Sequence, residues 1–473
     1  HSVSEDMVHW KDAPIALAPD GNSVAPDGVW SGGSTVDANG KPVLFFTAGD
    51  DKKVPNQMIG LATSKDPADP DLKEWSMYEK TVNVQVPNLP AKEGEVWYGQ
   101  FRDPYVWKDG DTWYQLVGSG IKDVGGTALL YTSKDLKNWE YKKPLLVGNF
   151  KQHPKTGQVW ELPVFLPLGK DANGVEKYVF LINPWFDGYN PNNVKYVWYW
   201  IGTWDKEKLE FVPDHTDPKQ FDYGEHFTGP SGMVDEKGRS ILFSIAQDRR
   251  TEQQHHDAGW AHNAGLPLEL SLNSEGGLGI KPIAELDSLR KKELVSIKNM
   301  KTDKANELLT NVKGDLLEIE LEINPASAKQ VGLKLRKSAN GKEETLLFYD
   351  VEKQSLNIDR NKSSLDPDIQ KGVQGGEFKL GKKNLKLHVY LDRSMIEAYA
   401  NGQKSITSRV YPTLSDALGL ELWSSGGNAK VLSMKVWEMG SAYGKTVPAY
   451  WPEPTGGGAP VPESAELPNH DFQ

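Results

Sequence analysis

Ser133-Lys134-Asp135-Leu136-Lys137-Asn138-Trp139 and Ser4-Glu5-Asp6-Met7-Val8-His9-Trp10 match at Ser, Asp and Trp with the same spacing. A stretched copy runs from Ser64-Lys65-Asp66 to Trp75 across an insertion rich in Pro and Asp, and Gly202-Thr203-Trp204-Asp205 is a degenerate one. The copies start at 4, 64, 133 and 203, which is 60, 69 and 70 residues apart. A second unit interleaves with the first: Trp30-Ser31-Gly32-Gly33, Phe101-Arg102-Asp103-Pro104, Trp160-Glu161-Leu162-Pro163 and Phe227-Thr228-Gly229-Pro230, spaced by 71, 59 and 67. Between the units lie apolar runs of strand length, such as Pro42–Thr47 and Tyr178–Ile182. A period of about 65 residues holding about four strands is the mark of a propeller blade, whose sheet cannot bury both faces alone and so packs radially against its neighbours.

The first strand of each blade lines the central funnel, so the second set of motifs is expected to converge there. Motifs at 30, 101, 160 and 227 mark four inner strands. The Ser4–Trp10 unit belongs to an earlier blade whose inner strand would fall upstream of His1. The expected fold is therefore all-β: a five-bladed β-propeller over residues 1–280, its first blade incomplete in this chain. Lys281–Arg290 reads as a short helical segment opening a linker over 281–304. Alternating strands over 305–440, with the tight-turn pair Asn401-Gly402, indicate a β-sandwich. Residues 441–473, with Thr455-Gly456-Gly457-Gly458 and a Pro-rich stretch, read as an extended tail.

Composition narrows the functional classes. The 473 residues carry 54 Lys and Arg against 65 Asp and Glu, a net −11, with no long basic block. Nucleic-acid binding needs clustered cations on one face, so no nucleic-acid partner is expected. No run approaches 18 consecutive apolar residues, so no membrane-spanning helix is expected. Cys is absent, which removes thiol nucleophiles, disulfides and thiolate metal sites. His255, His256 and His262 lack metalloprotease spacing and read as a polar loop. No metal and no cofactor is expected. A start at His1 rather than Met implies that something upstream was removed or left out of this sequence; an extracellular, secreted bacterial protein is the expectation. A homo-oligomer is compatible with the sequence.

Among the funnel motifs, Asp103 and Glu161 are carboxylates on two inner strands. Arg102 is expected to hold Asp103 ionised, whereas the apolar neighbours Trp160 and Leu162 are expected to raise Glu161 and suit it to donate a proton. Two carboxyls in different environments fit glycoside hydrolysis; the alternative is that both only cap strand ends. Gly229-Pro230-Ser231-Gly232 is not a nucleophile elbow and reads as a blade turn.

Taken together, these motifs resemble glycoside hydrolase family 32, the invertases, levanases, inulinases and fructosyltransferases, over nearly the whole chain. Phe101-Arg102-Asp103-Pro104 is similar to the family's Arg-Asp-Pro motif, Trp160-Glu161-Leu162-Pro163 to its Glu-Cys motif with Leu162 where Cys is usual, and Trp30-Ser31-Gly32-Gly33 to its Trp-Ser-Gly motif. Asp392-Arg393-Ser394 with Glu397 and Asn401 resembles the sandwich signature. The resemblance implies a retaining β-fructosidase acting on a fructan or sucrose-like sugar. Glu161 would be the general acid/base and Asp103 the transition-state stabiliser, with Trp30, Ser31, Arg102, Trp160 and Trp260 at the sugar. The family's Asp nucleophile, carried on a first inner strand, has no counterpart in this sequence. That strand would sit some 40 residues before Ser4 by the resemblance, in agreement with the blade count. Fructosyl transfer and non-catalytic fructan binding stay open, the former because a charged, His-rich stretch, Ile245–Arg250 through Gly259–Asn263, replaces the family's usual run.

Overall fold

The computed structural model describes residues 1–188 and 194–443. The sequence repeat is also a structural one. Asp6 and Asp135 each fold back on the chain, their Oδ1 accepting amides two and three residues on: Val8 and His9 at 2.9 and 2.8 Å, Lys137 and Asn138 at 2.9 and 2.8 Å. Met7 and Leu136 occupy the same left-handed position, at φ 63 and 66. The indole N–H of Trp10 and of Trp139 donates to that residue's carbonyl. Carboxylate-capped turns of this kind are what Asp favours locally, and the indole adds an apolar lid.

These turns join the outer strands of antiparallel meanders. The first sheet comprises Gly28–Val36, Pro42–Gly49, Gln57–Ser64 and Trp75–Met77; the second, Arg102–Asp109, Thr112–Ile121, Gly125–Ser133 and Glu140–Val147. The third starts with Val159–Lys170, Glu176–Trp185 and Trp198–Asp205, and the fourth is built on Phe227–Val234, Ser240–Ala246, Leu268–Leu272 and Leu278–Pro282. Among the described residues there are four such meanders and a two-stranded ribbon, Ser2–Val3 with Lys11–Asp12, where the repeat count expects five blades. The first strand of every meander contributes to one central cavity of about 370 Å³. That radial convergence makes residues 28–282 a β-propeller. Its aromatics are mostly structural: Trp107, Phe165, Phe180, Trp200 and Trp204 pack between the sheets.

A sandwich follows. Its six-stranded sheet has the order Arg290–Lys301, Lys430–Met439, Leu316–Asn324, Leu385–Asp392, Met395–Ala400, Lys404–Arg409; the facing five-stranded sheet has Gln330–Lys337 and Thr345–Asp350 at its centre. Alternation explains the face choice, since Ile319, Leu321 and Ile323 are buried while Glu320 is exposed. The expected linker over 281–304 does not exist as such. Lys281 and Pro282 end a propeller strand, Ala284–Leu289 is a 3-10 helix, and Arg290–Lys301 is a sandwich strand. This strand lies at the sheet edge and is rich in Lys, a composition that blunts edge pairing and hides the strand signal. Of the expected tail, everything from 444 on lies outside the described residues. No described helix is long and apolar enough to cross a membrane.

Candidate active site

The four inner strands share one irregularity. Pairing with the second strand slips between Trp30 and Gly32, Arg102 and Tyr105, Glu161 and Val164, and Thr228 and Ser231. Inside three of these bulges a left-handed residue precedes a proline: Asp103 (φ 59) before Pro104, Leu162 (φ 48) before Pro163, Gly229 (φ 61) before Pro230. Proline lacks the amide that a bulge leaves unpaired, so it fits there without loss. Gly229-Pro230-Ser231-Gly232 is thus a bulge within a strand, not the expected blade turn. A bulge re-aims the side chains beside it. Trp30, Arg102, Glu161 and Thr228 stand at equivalent positions, one from each sheet.

Three of these four are linked. Arg102 Nε donates to Glu161 Oε1 at 3.2 Å, in an ion pair whose side chains are 6% and 7% exposed. Glu161 Oε2 accepts from Asn183 Nδ2 at 3.2 Å, and Asn183 Oδ1 accepts from Thr228 Oγ1 at 2.8 Å. Lys195 Nζ stands 3.8 Å from Glu161. The Arg102 guanidinium also donates to Gln100 at 2.5 Å and lies over Trp185, while its Nη2 has no partner although buried.

Asp103 occupies the bulge itself and faces the cavity. Its amide donates to Thr47 Oγ1 at 2.8 Å, Thr47 in turn donates to the Ser31 carbonyl at 3.0 Å, and Asp103 Oδ2 accepts from the Leu162 amide at 3.1 Å. Burial, then the charge on Glu161, pushes the Asp103 carboxyl well above the usual range, against the opposing pull of Arg102 and of the Leu162 amide. Both electrostatic expectations are corrected here: Arg102 pairs with Glu161 and does not dominate Asp103, and the surroundings of Glu161 are polar rather than apolar. Two adjacent buried carboxyls resist being charged together, which is how Glu161 adds to the upward push on Asp103.

The aromatic expectations divide. Trp30 is 42% exposed and lies across the backbone at Gly28 and Gly49, where a Cβ would stand 2.4 and 2.3 Å from its ring. Glycine is required at both positions. Trp160 does not line the site: it is fully buried between Phe180 and Trp200, its indole N–H on the Thr156 carbonyl. It precedes the bulge position by one residue and so points to the opposite face of its strand, like Phe101 and Phe227, both buried. Trp260 is 42% exposed on a rim loop, stacked by Arg250 at 4.4 Å. Ser31 enters through its carbonyl.

Sequence reasoning missed Thr47, Asn183 and the role of Thr228. A signal existed: Thr47 and Asn183 are the polar residues that end the apolar runs 42–46 and 178–182, and they pair across the ladder with Trp30 and near Glu161. Outside the propeller, Glu318, Glu320 and His388 lie within 4.8 Å of one another. Glu318 there is engaged by Arg290, His388 and Tyr390.

The model of the glycosyl hydrolases family 32 N-terminal domain matches residues 1–282, and that of the family's C-terminal domain matches 285–438. The chain is 32% identical over 463 residues to a sucrose-6-phosphate hydrolase of Zymomonas mobilis, covering 93% of this chain and 84% of that one. It is 28% identical to an acid β-fructofuranosidase of Vigna radiata, over 95% and 74% of the two chains. In fold it is similar to fructan 1-exohydrolase IIa of Cichorium intybus, with a TM-score of 0.78 at 22% identity over 94% and 89%.

Proposed function

The chain belongs to glycosyl hydrolase family 32 and is a glycosidase of the fructosidase kind, and on that premise we propose that it cleaves fructosyl bonds of fructans or sucrose-like oligosaccharides with retention, using Glu161 as general acid/base and Asp103 as transition-state stabiliser. The observation that carries this reading is the buried Arg102–Glu161 pair beside Asp103, whose carboxyl it influences and which itself lines the central cavity.

The proposed sequence starts with the ketose ring against Trp30 and one hydroxyl on Asp103. Glu161 delivers a proton to the departing glycosidic oxygen, while positive charge growing at the anomeric carbon is met by Asp103 once it is ionised, as its carboxyl is above about pH 7. Asn183 and Thr228 fix the Glu161 carboxylate in the plane that reaches that oxygen. Retention needs a third carboxylate as nucleophile. That carboxylate takes the anomeric carbon as the glycosidic oxygen leaves and is then displaced by water, whose proton Glu161 accepts; Asp103 is the one carboxylate lining the cavity among the described residues, and none of them is assigned that role.

Incubation with sucrose, inulin and levan tests the proposal: fructose or oligofructosides should appear, and the first-formed anomer seen by NMR should be the β form. No release from any of the three at high enzyme load overturns it. Transfer to a sugar acceptor is a second reading, favoured by the charged rim loop 247–263. It predicts fructosylated acceptor in place of free fructose at high sugar concentration.

A further inference from the structure

At the seam between the domains one arginine is enclosed without a carboxylate of its own. Arg360, which follows the sandwich strand Ser355–Asp359, is 2% exposed. Its Nη1 reaches the carbonyls of Arg409 at 3.3 Å and Gln370 at 3.4 Å, beyond the usual length of a hydrogen bond. Its Nε donates to nothing among the described residues. The nearest carboxylate oxygen, Glu225 Oε2, stands 3.8 Å from Nη2 and is held by Arg249 at 2.9 Å. A guanidinium keeps its charge inside a protein, and a buried charge is costly unless an opposite one meets it.

The surroundings add positive charge. Arg249 and Arg250 line the same small cavity from the propeller side, and Asp248 takes up Arg250 bidentate at 2.9 and 2.6 Å. Arg409, also buried, gives its donors to the carbonyls of Ala246 and Gln247 and to Asn263 and Ser394, none of them charged. Asp368 is the one carboxylate lining the cavity among the described residues. Four guanidiniums, of Arg249, Arg250, Arg360 and Arg409, thus meet three carboxylates, of Glu225, Asp248 and Asp368. His226 responds to that field: burial, then the charge on Arg360, pushes its imidazole down to about 3. It is neutral, with Nδ1–H on the Gln247 carbonyl at 2.7 Å and Nε2 3.5 Å from Arg360 Nη1.

The cavity that these groups enclose measures about 10 Å³. That is room for one centre the size of a water and too little for a tetrahedral phosphate or sulfate. The wider cleft beside it, about 310 Å³, carries Asp257 and Asp366, which disfavour a large anion there as well.

We propose that the seam binds a monatomic anion, chloride, between Arg360 of the sandwich and the Arg249–Arg250 pair of the propeller. The ion supplies the opposite charge that Arg360 lacks within its own domain. Because its neighbours come from both domains, its binding strengthens the docking of one on the other. The proposal is separate from the fructosidase reading and uses no residue assigned to cleavage.

Thermal unfolding of the full chain in potassium chloride, against potassium methanesulfonate at equal ionic strength, tests this, since methanesulfonate is too large for the cavity. Relative to methanesulfonate, chloride should raise the melting temperature by about 1–2 °C for each tenfold rise above its Kd. Arg360→Gln should abolish the difference between the two salts. Crystals of the wild type grown in bromide should show an anomalous peak beside Arg360 Nε. The proposal is overturned by equal melting curves in the two salts, by a chloride response that survives in Arg360→Gln, or by a water beside Arg360 with bromide elsewhere only. If Arg360→Gln does not fold, the bromide crystal of the wild type decides. No readout depends on turnover, so failure here leaves the fructosidase reading untouched, and failure of that reading leaves this one standing.

Discussion

Each domain buries a carboxylate against an arginine, and the two sites could hardly differ more in how they treat it. In the sandwich, Glu318 is 0% exposed and receives two short bonds from Arg290, at 2.6 Å each, plus His388 at 2.7 Å and Tyr390 at 3.1 Å. Despite burial, those donors hold its carboxyl down at about 2. In the propeller, Asp103 accepts a single amide bond, is pushed upward, and sits beside an arginine with an unused N–H. One cluster is complete in itself. The other is short of partners, and its Asp103 lines the central cavity, as a site for a ligand requires.

Substitution should separate the two clusters most sharply. Glu161→Gln is expected to lower turnover of the folded enzyme by roughly 10²–10⁴-fold, the usual contribution of a general acid/base. Glu318→Gln should do the reverse. Breaking a buried pair costs about 3–5 kcal/mol, read as a lower denaturant midpoint, while kcat of the folded fraction holds. Equal losses of activity in both variants would erase the distinction.

Acid and base should separate them next. Glu318 titrates at about 2 when folded against an ordinary 4.5, so its stabilisation is complete above pH 4.5 and drains away as pH falls from there toward 2. Asp103 has the opposite sign. Its folded carboxyl ionises near 7 against an ordinary 3.8, so the stability it contributes is full below pH 3.8, falls as pH rises from there and is gone above about 7. An Asp103→Asn unfolding series should lack that decline, and a Glu318→Gln series should lack the acid one.

A smaller effect is expected at the seam between the domains. A Cβ on Gly224 would stand 1.7 Å from the Thr407 carbonyl oxygen, backbone against backbone. Gly224→Ala should therefore cost about 1–3 kcal/mol, as overpacking does, measured by thermal unfolding. The least change is expected at Leu162, a non-glycine residue held at φ 48: Leu162→Gly should relieve about 1 kcal/mol of backbone strain, partly offset by the lost side chain.

The propeller was legible because its two repeated units carry local chemistry. The Asp-capped turns at 4 and 133 are written in three residues each, and three of the four bulge motifs carry their own Pro. What sequence could not supply was the phase within the motif. Trp30 and Trp160 both open a motif, yet Trp30 stands at the last paired position before its bulge whereas Trp160 stands one earlier, and a one-residue offset in a strand reverses the face. Thr47 and Asn183 escaped notice because they lie on second strands, and their meaning comes only from the ladder partner. Arg290–Lys301 was read as a linker since an edge strand shows one apolar face at most. The opposed behaviour of Asp103 and Glu161 was illegible for the same kind of reason: which of two carboxyls Arg102 reaches is set by the bulge, not by adjacency in the chain.

The strand Lys404–Arg409 closes the six-stranded sheet and also grips the propeller, with Lys404 on the Gln220 carbonyl, Thr407 on Asp222 and Arg409 at the rim. The two halves are therefore not interchangeable parts. A chimera that borrowed its sandwich from a relative would inherit a mismatched hinge line unless residues 220–224, 246–248, 263–266 and 397–411 travelled together, and drift at any one of these segments in a lineage should be answered by change in the others.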